Sequence, residues 1–117
     1  MAFRFRCPGG YPLAVLRRAL RLSAVFSVAR HEGAVAGYLC ASLDEAHAHI
    51  TRVAVRPDAR RGGLGRALLD DALARLAVMG ADIVTLNTPA SYQVRGFYER
   101  AGFRLLPDVA DVVCRQL

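Results

Sequence analysis

Two stretches of this chain combine residue types and spacings suited to chemistry. The first is Arg60-Arg61-Gly62-Gly63-Leu64-Gly65. Its glycines remove side chains where a ligand would approach the backbone. The apolar spacing that follows predicts a helix over 65–79, and the first turn of a helix leaves N–H groups without internal partners. Those donors, the helix dipole and the guanidinium groups of Arg60, Arg61 and Arg66 suit a phosphate. A Gly pair also serves a tight turn, so the loop taken alone leaves both readings open. It lacks the Gly-Lys-Ser/Thr ending of a nucleotide P-loop and the G-x-G-x-x-G spacing of a dinucleotide fingerprint. The second stretch is Phe97-Tyr98-Glu99-Arg100-Ala101-Gly102-Phe103, which places a phenol near the end of a short predicted helix.

A third group precedes the glycine loop. His47, His49 and Thr51 alternate along a predicted strand and share one face. An imidazole titrating near ~6.5 suits proton acceptance at neutral pH, although a surface or structural histidine reads the same in sequence. No third ligand stands near His47 and His49, so the pair is not read as a metal site. Glu45 is a weaker alternative base. Cys40 and Cys114 lie in apolar strands and read as core residues rather than nucleophiles.

The elements that position these groups follow from patterning. Residues 1–10, with Pro8, Gly9 and Gly10, read as a mobile arm. Leu13, Leu16 and Leu20, with Arg17, Arg18 and Arg21 between them, predict an amphipathic helix over 12–22. Strands are predicted at 24–30 and 34–43, joined by a turn at His31-Glu32-Gly33. A second turn at 44–46 leads to a strand over 47–55, which Pro57 and Asp58 stop. In the helix after the glycine loop, Leu68, Leu69, Ala72, Leu76 and Met79 form the apolar face. Asp71 and Arg75 make an i,i+4 pair, and Gly80 ends the helix. A buried strand over 81–87, a loop at 88–91, a helix over 92–101 and strands at 103–106 and 109–115 complete the order α-β-β-β-α-β-α-β-β. This is an α/β (α+β) domain with a mixed, largely antiparallel sheet.

Bulk properties bound the function. A chain of 117 residues, 54% hydrophobic, makes one packed domain. No apolar run is long enough to span a membrane. The net charge is +6, and all sixteen basic residues are arginine. That bias reflects GC-rich coding and weakens any claim that each arginine was selected for binding. No aromatic-basic interleaving accompanies the charge, which argues against a nucleic-acid partner. The arginines at positions 17, 18 and 21 interrupt the stretch that a secretory leader would need, and 24–30 already reads as fold rather than transit peptide. Three widely spaced cysteines fit reduced thiols in a cytoplasmic protein.

Together the motifs resemble those of the GCN5-related N-acetyltransferase (GNAT) family. That family's cofactor loop reads Arg/Gln-x-x-Gly-x-Gly/Ala, which 60–65 matches fully. Val53-Ala54-Val55-Arg56-Pro57 is similar to its Val-x-Pro approach to the loop, and 97–103 matches its Phe-Tyr-Glu-x-x-Gly-Phe signature. The resemblance covers about residues 24–106. It implies acetyl-CoA as cofactor, with its diphosphate held by Arg60, Arg61, Gly62, Gly63, Leu64, Gly65 and Arg66. It further implies a pantetheine arm paired to the backbone of Val53, Ala54 and Val55, and a thioester oxygen held by an N–H near Val53. An acceptor amine attacks the thioester carbon and CoA thiolate leaves. Tyr98 is then the general acid, since a neutral phenol can donate to the departing sulfur. His49 stands near the level where some relatives carry a catalytic Glu and is the candidate base, with water as the alternative.

Two departures stand out. Members usually carry an extra N-terminal strand and helix, where this chain has room for one helix, so the acceptor site is shortened at that end. Ser91 occupies a position that often holds Asn. Tyr92-Gln93 is similar to the variant in which an aromatic-Gln pair precedes Phe-Tyr, which implies a cofactor contact for Gln93. The expectation is a single N-acetyltransferase domain acting on a small-molecule or peptide amine, with a homodimer formed through an exposed strand edge. An acyl-CoA-binding module without efficient transfer and a basic nucleic-acid-binding protein are the competing readings.

Overall fold

A computed structural model describes residues 13–60, 62–88, 92–106 and 112–117. Helix α1 (Leu13–Leu22) leads into strands β1 (Val25–His31), β2 (Ala34–Asp44) and β3 (His47–Val55), followed by a single 3-10 turn at Pro57–Ala59. Helix α2 (Leu64–Val78), β4 (Ile83–Asn87), α3 (Tyr92–Arg100), β5 (Arg104–Leu105) and β6 (Val112–Gln116) complete the order expected from the sequence. The predicted arm at 1–10 lies outside the described residues.

The six strands form one sheet in the order β1-β2-β3-β4-β6-β5. Only β3 and β4 pair in parallel; the other neighbours are antiparallel. The β1–β2 turn is built on Glu32 (φ 53°) and Gly33 (φ 80°), two successive left-handed residues whose twist matches the strands they join. Helix α2 covers one face with Leu68, Leu69, Ala72, Leu73 and Leu76, and each leucine buried contributes about 1.5–3 kcal/mol. Those side chains share a core with Leu39, Ile50, Val53, Val55, Val84 and Val113 from four strands. On the other face Tyr38, Cys40 and Ala54 form a smaller cluster, with Phe26 stacked on Tyr38 at 5.7 Å.

Two apolar expectations are corrected. Met79 is 46% exposed, because the helix ends at Val78 and Met79 is its C-cap. Leu20 is 55% exposed, since it lines an open groove with Phe26 and Val78 rather than packing into the core. The polar positions of α2 hold: Asp71 accepts a hydrogen bond from the buried Ser27 hydroxyl at 3.0 Å and pairs with Arg75 at 2.9 Å. Gly80 leaves the helix at φ 96°, as a helix-ending glycine does.

Candidate active site

The site begins where β3 and β4 part. Their parallel pairing covers His47–Ile50 against Ile83–Leu86 and then ends. Beyond it β3 runs on through Val55 with β2 on one side only, where Arg52, Val53, Ala54 and Val55 pair with Cys40, Leu39, Tyr38 and Gly37. The opposite edge of this stretch, roughly 15 Å of extended backbone, has no strand beside it among the described residues. Its Val53, Ala54 and Val55 side chains are buried, so both faces are covered while the edge stays open.

A bulge sets that geometry. Cys40 pairs with Arg52 and Ala41 with Ile50, so Thr51 is the extra residue. Its hydroxyl turns to β2 and donates to the Cys40 carbonyl at 3.1 Å. The insertion shifts the alternation of β3 by one, which lets Ile50 and Val53 both face the main core. Thr51 is thus tied to Cys40, while the histidines before it point their polar atoms at β4.

The open edge leads to the N-terminus of α2. Gly63 caps that helix at φ 83°, ψ 3°, a conformation that glycine adopts freely and asparagine tolerates, and among the described residues no side chain hydrogen-bonds the cap. The first intrahelical bond runs from Ala67 N to Gly63 O at 2.9 Å, which leaves the N–H groups of the first turn for an outside acceptor. No acidic residue lies in that turn. A Cβ built on Gly63 would meet nothing within 4 Å, whereas one on Gly65 would touch Phe97 Cζ at 3.6 Å, so open space lies over Gly63 and packed protein beside Gly65. The donors, the open cradle and the lack of negative charge fit a diphosphate.

The arginines divide their tasks. Arg60 Nε donates to the Val55 carbonyl at 3.1 Å, bracing the loop on the end of β3, while its remaining N–H groups are further donors. Arg66 pairs with Asp70 at 2.9 Å on the exposed side of α2, which offsets part of its charge. Arg61 and the side chain of Gln93 lie outside what the structure describes.

Tyr98 is 1% exposed, wedged edge-on between Phe97 (5.0 Å, 80°) and Phe103 (5.7 Å, 71°). Burial pushes its phenol up to about 12, so it is protonated across the physiological range. Phe97 links it to the glycine loop through the contact beside Gly65. His49 is half-buried; burial, then the neighbouring His47, holds its imidazole below the usual 6.5 and hence neutral. Among the described residues no group of three metal-ligating side chains forms, and Glu45 sits in the β2–β3 turn at φ 54°.

Two threonines had no signal in the sequence. Thr85 receives both histidines: His49 Nδ1 lies 2.7 Å and His47 Nε2 2.8 Å from its hydroxyl oxygen. Thr88, just past the end of β4 and 3% exposed, buries a hydroxyl that has no hydrogen-bond partner among the described residues. An orphaned buried hydroxyl costs about 1–3 kcal/mol, which marks a place where a ligand's polar group would be welcome.

The family model described as Acetyltransferase (GNAT) family matches residues 4–103. A search of curated proteins gave no match. Among solved structures, the chain resembles Ard1 from Thermoplasma volcanium with a TM-score of 0.83 at 24% identity, covering 95% of this chain and 83% of that one. It resembles the ribosomal-protein-S18-alanine N-acetyltransferase from Escherichia coli with a TM-score of 0.81 at 20% identity, over 94% and 79% of the two chains. A GNAT family acetyltransferase from Elizabethkingia anophelis with acetyl-CoA bound gives a TM-score of 0.74 at 16% identity, over 91% and 84%. With its glycine cradle, its parted strands and a family match over most of its length, the chain belongs to the acetyltransferase (GNAT) family.

Proposed function

We propose that this protein transfers the acetyl group of acetyl-CoA directly to a primary amine. The observation that carries the reading is the continuous polar track formed by the open edge of β3 and the uncapped first turn of α2. A diphosphate sits on the N–H groups of Gly62, Gly63, Leu64 and Gly65, with Arg60, Arg61 and Arg66 around it. The pantetheine arm lies along Val53, Ala54 and Val55 as an added strand. The Thr88 hydroxyl and the Gln93 amide supply side-chain contacts. When bound, acetyl-CoA supplies an activated acyl carbon and a thiolate leaving group.

The protein's own groups do the rest. The N–H near Val53 holds the thioester oxygen as charge builds on it. His49, neutral because it is half-buried, takes the proton of the attacking amine. Tyr98 donates a hydrogen bond to the departing sulfur. A phenol at about 12 is too weak an acid to give up its proton to a thiolate outright. The gap to a free thiol at ~8.5 is about 3.5 units, or roughly 5 kcal/mol, so the stabilisation comes from the hydrogen bond as charge develops. A homodimer through the outer edge of β1, where Val28 is 50% exposed, belongs to the same proposal, as does a cytoplasmic setting for the free thiols of Cys40 and Cys114.

The test is release of free thiol from acetyl-CoA in the presence of an amine panel: an Ala-initiated peptide, a Lys-containing peptide with a blocked amino terminus, spermidine and an aminoglycoside. Transfer to at least one of these supports the reading. Tight acetyl-CoA binding with no thiol release from any amine would instead identify an acyl-CoA-binding module.

A further inference from the structure

The strand face turned away from α2 carries a chain of three proton-exchanging groups. His49 Nδ1 and His47 Nε2 stand 2.7 and 2.8 Å from one atom, Thr85 Oγ1. The hydroxyl's other acceptor, the Ala48 carbonyl, is distant at 3.5 Å. The buried Thr85 stands between the half-buried His49 and the exposed His47, so the row ends at water. The topology explains the meeting: parallel pairing puts Thr85 beside His49, and the alternation of β3 puts His47 on the same face.

A hydroxyl has one proton and two lone pairs. With the Ala48 carbonyl at the 3.5 Å limit, the shorter contacts favour Thr85 donating to one imidazole and accepting from the other, which sets the two rings in complementary tautomers. In one arrangement His49 Nδ1–H donates to Thr85, and Thr85 O–H donates to His47 Nε2. That leaves a lone pair on His49 Nε2, which is what a base needs. The reverse arrangement protonates His49 Nε2 and disables it.

We propose that Thr85 and His47 relay the proton that His49 takes up, delivering it to solvent. This rests on the reading of His49 as the base. The steps balance. A proton arrives at His49 Nε2. The Nδ1 proton passes to Thr85 Oγ1, the hydroxyl proton passes to His47 Nε2, and the exposed His47 ring loses its Nδ1 proton to water. One proton enters and one leaves. Between turnovers water in the emptied site takes the His49 Nε2 proton and water at His47 returns one to Nδ1, so the row shifts back and the starting tautomers are restored. The order fits the electrostatics, since the two rings disfavour carrying charge together. Other titratable or charged groups near the row are Asp44, paired with His47 across β2, Cys114, paired with Thr85 across β6, and Arg104, paired with Cys114 on β5. Thr85 and His47 are thus positioning residues, acting through His49.

The experiment uses the full chain, acetyl-CoA and whichever amine of the panel gives the fastest thiol release. The variants are Thr85→Val, Thr85→Ser and His47→Gln. The relay predicts a fall of about tenfold or more in kcat for Thr85→Val with an unchanged KM for acetyl-CoA, and recovery of most of the rate in Thr85→Ser. His47→Gln alters an exposed side chain and leaves the fold intact. Its kcat is expected to fall at low buffer and to recover as imidazole buffer is raised, a rescue that a merely structural histidine would not show. If wild type transfers acetyl but Thr85→Val keeps its kcat, or His47→Gln shows no dependence on buffer, the relay is wrong and the acetyltransfer reading stands. If wild type releases no thiol with any amine, the acetyltransfer reading falls and takes the relay with it.

Discussion

Phe97 packs against the start of α2: a Cβ placed on Gly65 would stand 3.6 Å from Phe97 Cζ. This contact joins the glycine loop to the helix that carries Tyr98. The separation is ordinary van der Waals distance, and Gly65 does not need a left-handed backbone. The fold therefore has room for a methyl there. Gly65→Ala is expected to gain about 0.5–1 kcal/mol, a Tm rise of a few degrees, because alanine loses less backbone freedom in a helix. Acetyl-CoA affinity should be kept, since the family's pattern takes Gly or Ala at this place. Calorimetry with and without the cofactor checks both.

Thr88 gives the opposite separation. Its buried hydroxyl has no partner among the described residues, so Thr88→Val removes a cost from the free protein and should leave Tm unchanged or higher. In the complex the same change deletes a hydrogen bond, expected to weaken acetyl-CoA by about 1 kcal/mol, near fivefold. Isothermal titration measures it; unchanged affinity would show that the hydroxyl does not face the ligand.

For Tyr98→Phe the expected loss is in kcat, about 10²-fold, with little change in KM for acetyl-CoA. A stability signature accompanies it. In the fold the phenol titrates at about 12, against 10.0 when unfolded. Between those values the unfolded chain loses a proton that the folded one keeps, so stability falls as pH rises from 10 to 12. The fall is about 2.7 kcal/mol from this group, and Tyr98→Phe should remove it.

His49 acts at the other end of the scale. Its folded pKa is lowered, so below about 6.5 the unfolded chain binds a proton that the folded one refuses. Its contribution is intact above 6.5 and is lost as pH falls toward the depressed value. Urea midpoints measured from pH 7.5 down to 5 should drop in wild type and drop less in His49→Gln.

Much of this was legible in the sequence because it is local. The turn at Glu32-Gly33, the helix after the glycine loop and the strand at His47–Val55 each follow from spacing and turn chemistry over a few residues. What was hidden depends on pairing across long separations. The bulge at Thr51 appears only when β3 is set against β2. Thr85 becomes a junction only because β4 lies parallel to β3, although it stands 36 positions after His49 in the sequence. Thr88 looks like any loop threonine until its surroundings bury it. Met79 shows the reverse failure: its spacing fits the apolar face, but the helix has already ended.

The central claim is that open backbone at the start of α2 grips the cofactor's diphosphate, and thermal melting of wild type and Gly63→Asn with and without acetyl-CoA tests it most directly. Asparagine tolerates the positive φ of Gly63, so the free variant should melt near wild type, while its side chain fills the open space over the loop. At a hundredfold excess over Kd the account predicts a gain of about 2.7 kcal/mol, roughly ten degrees, for wild type and little or none for the variant. Equal shifts in both proteins, or no shift in wild type, would contradict it.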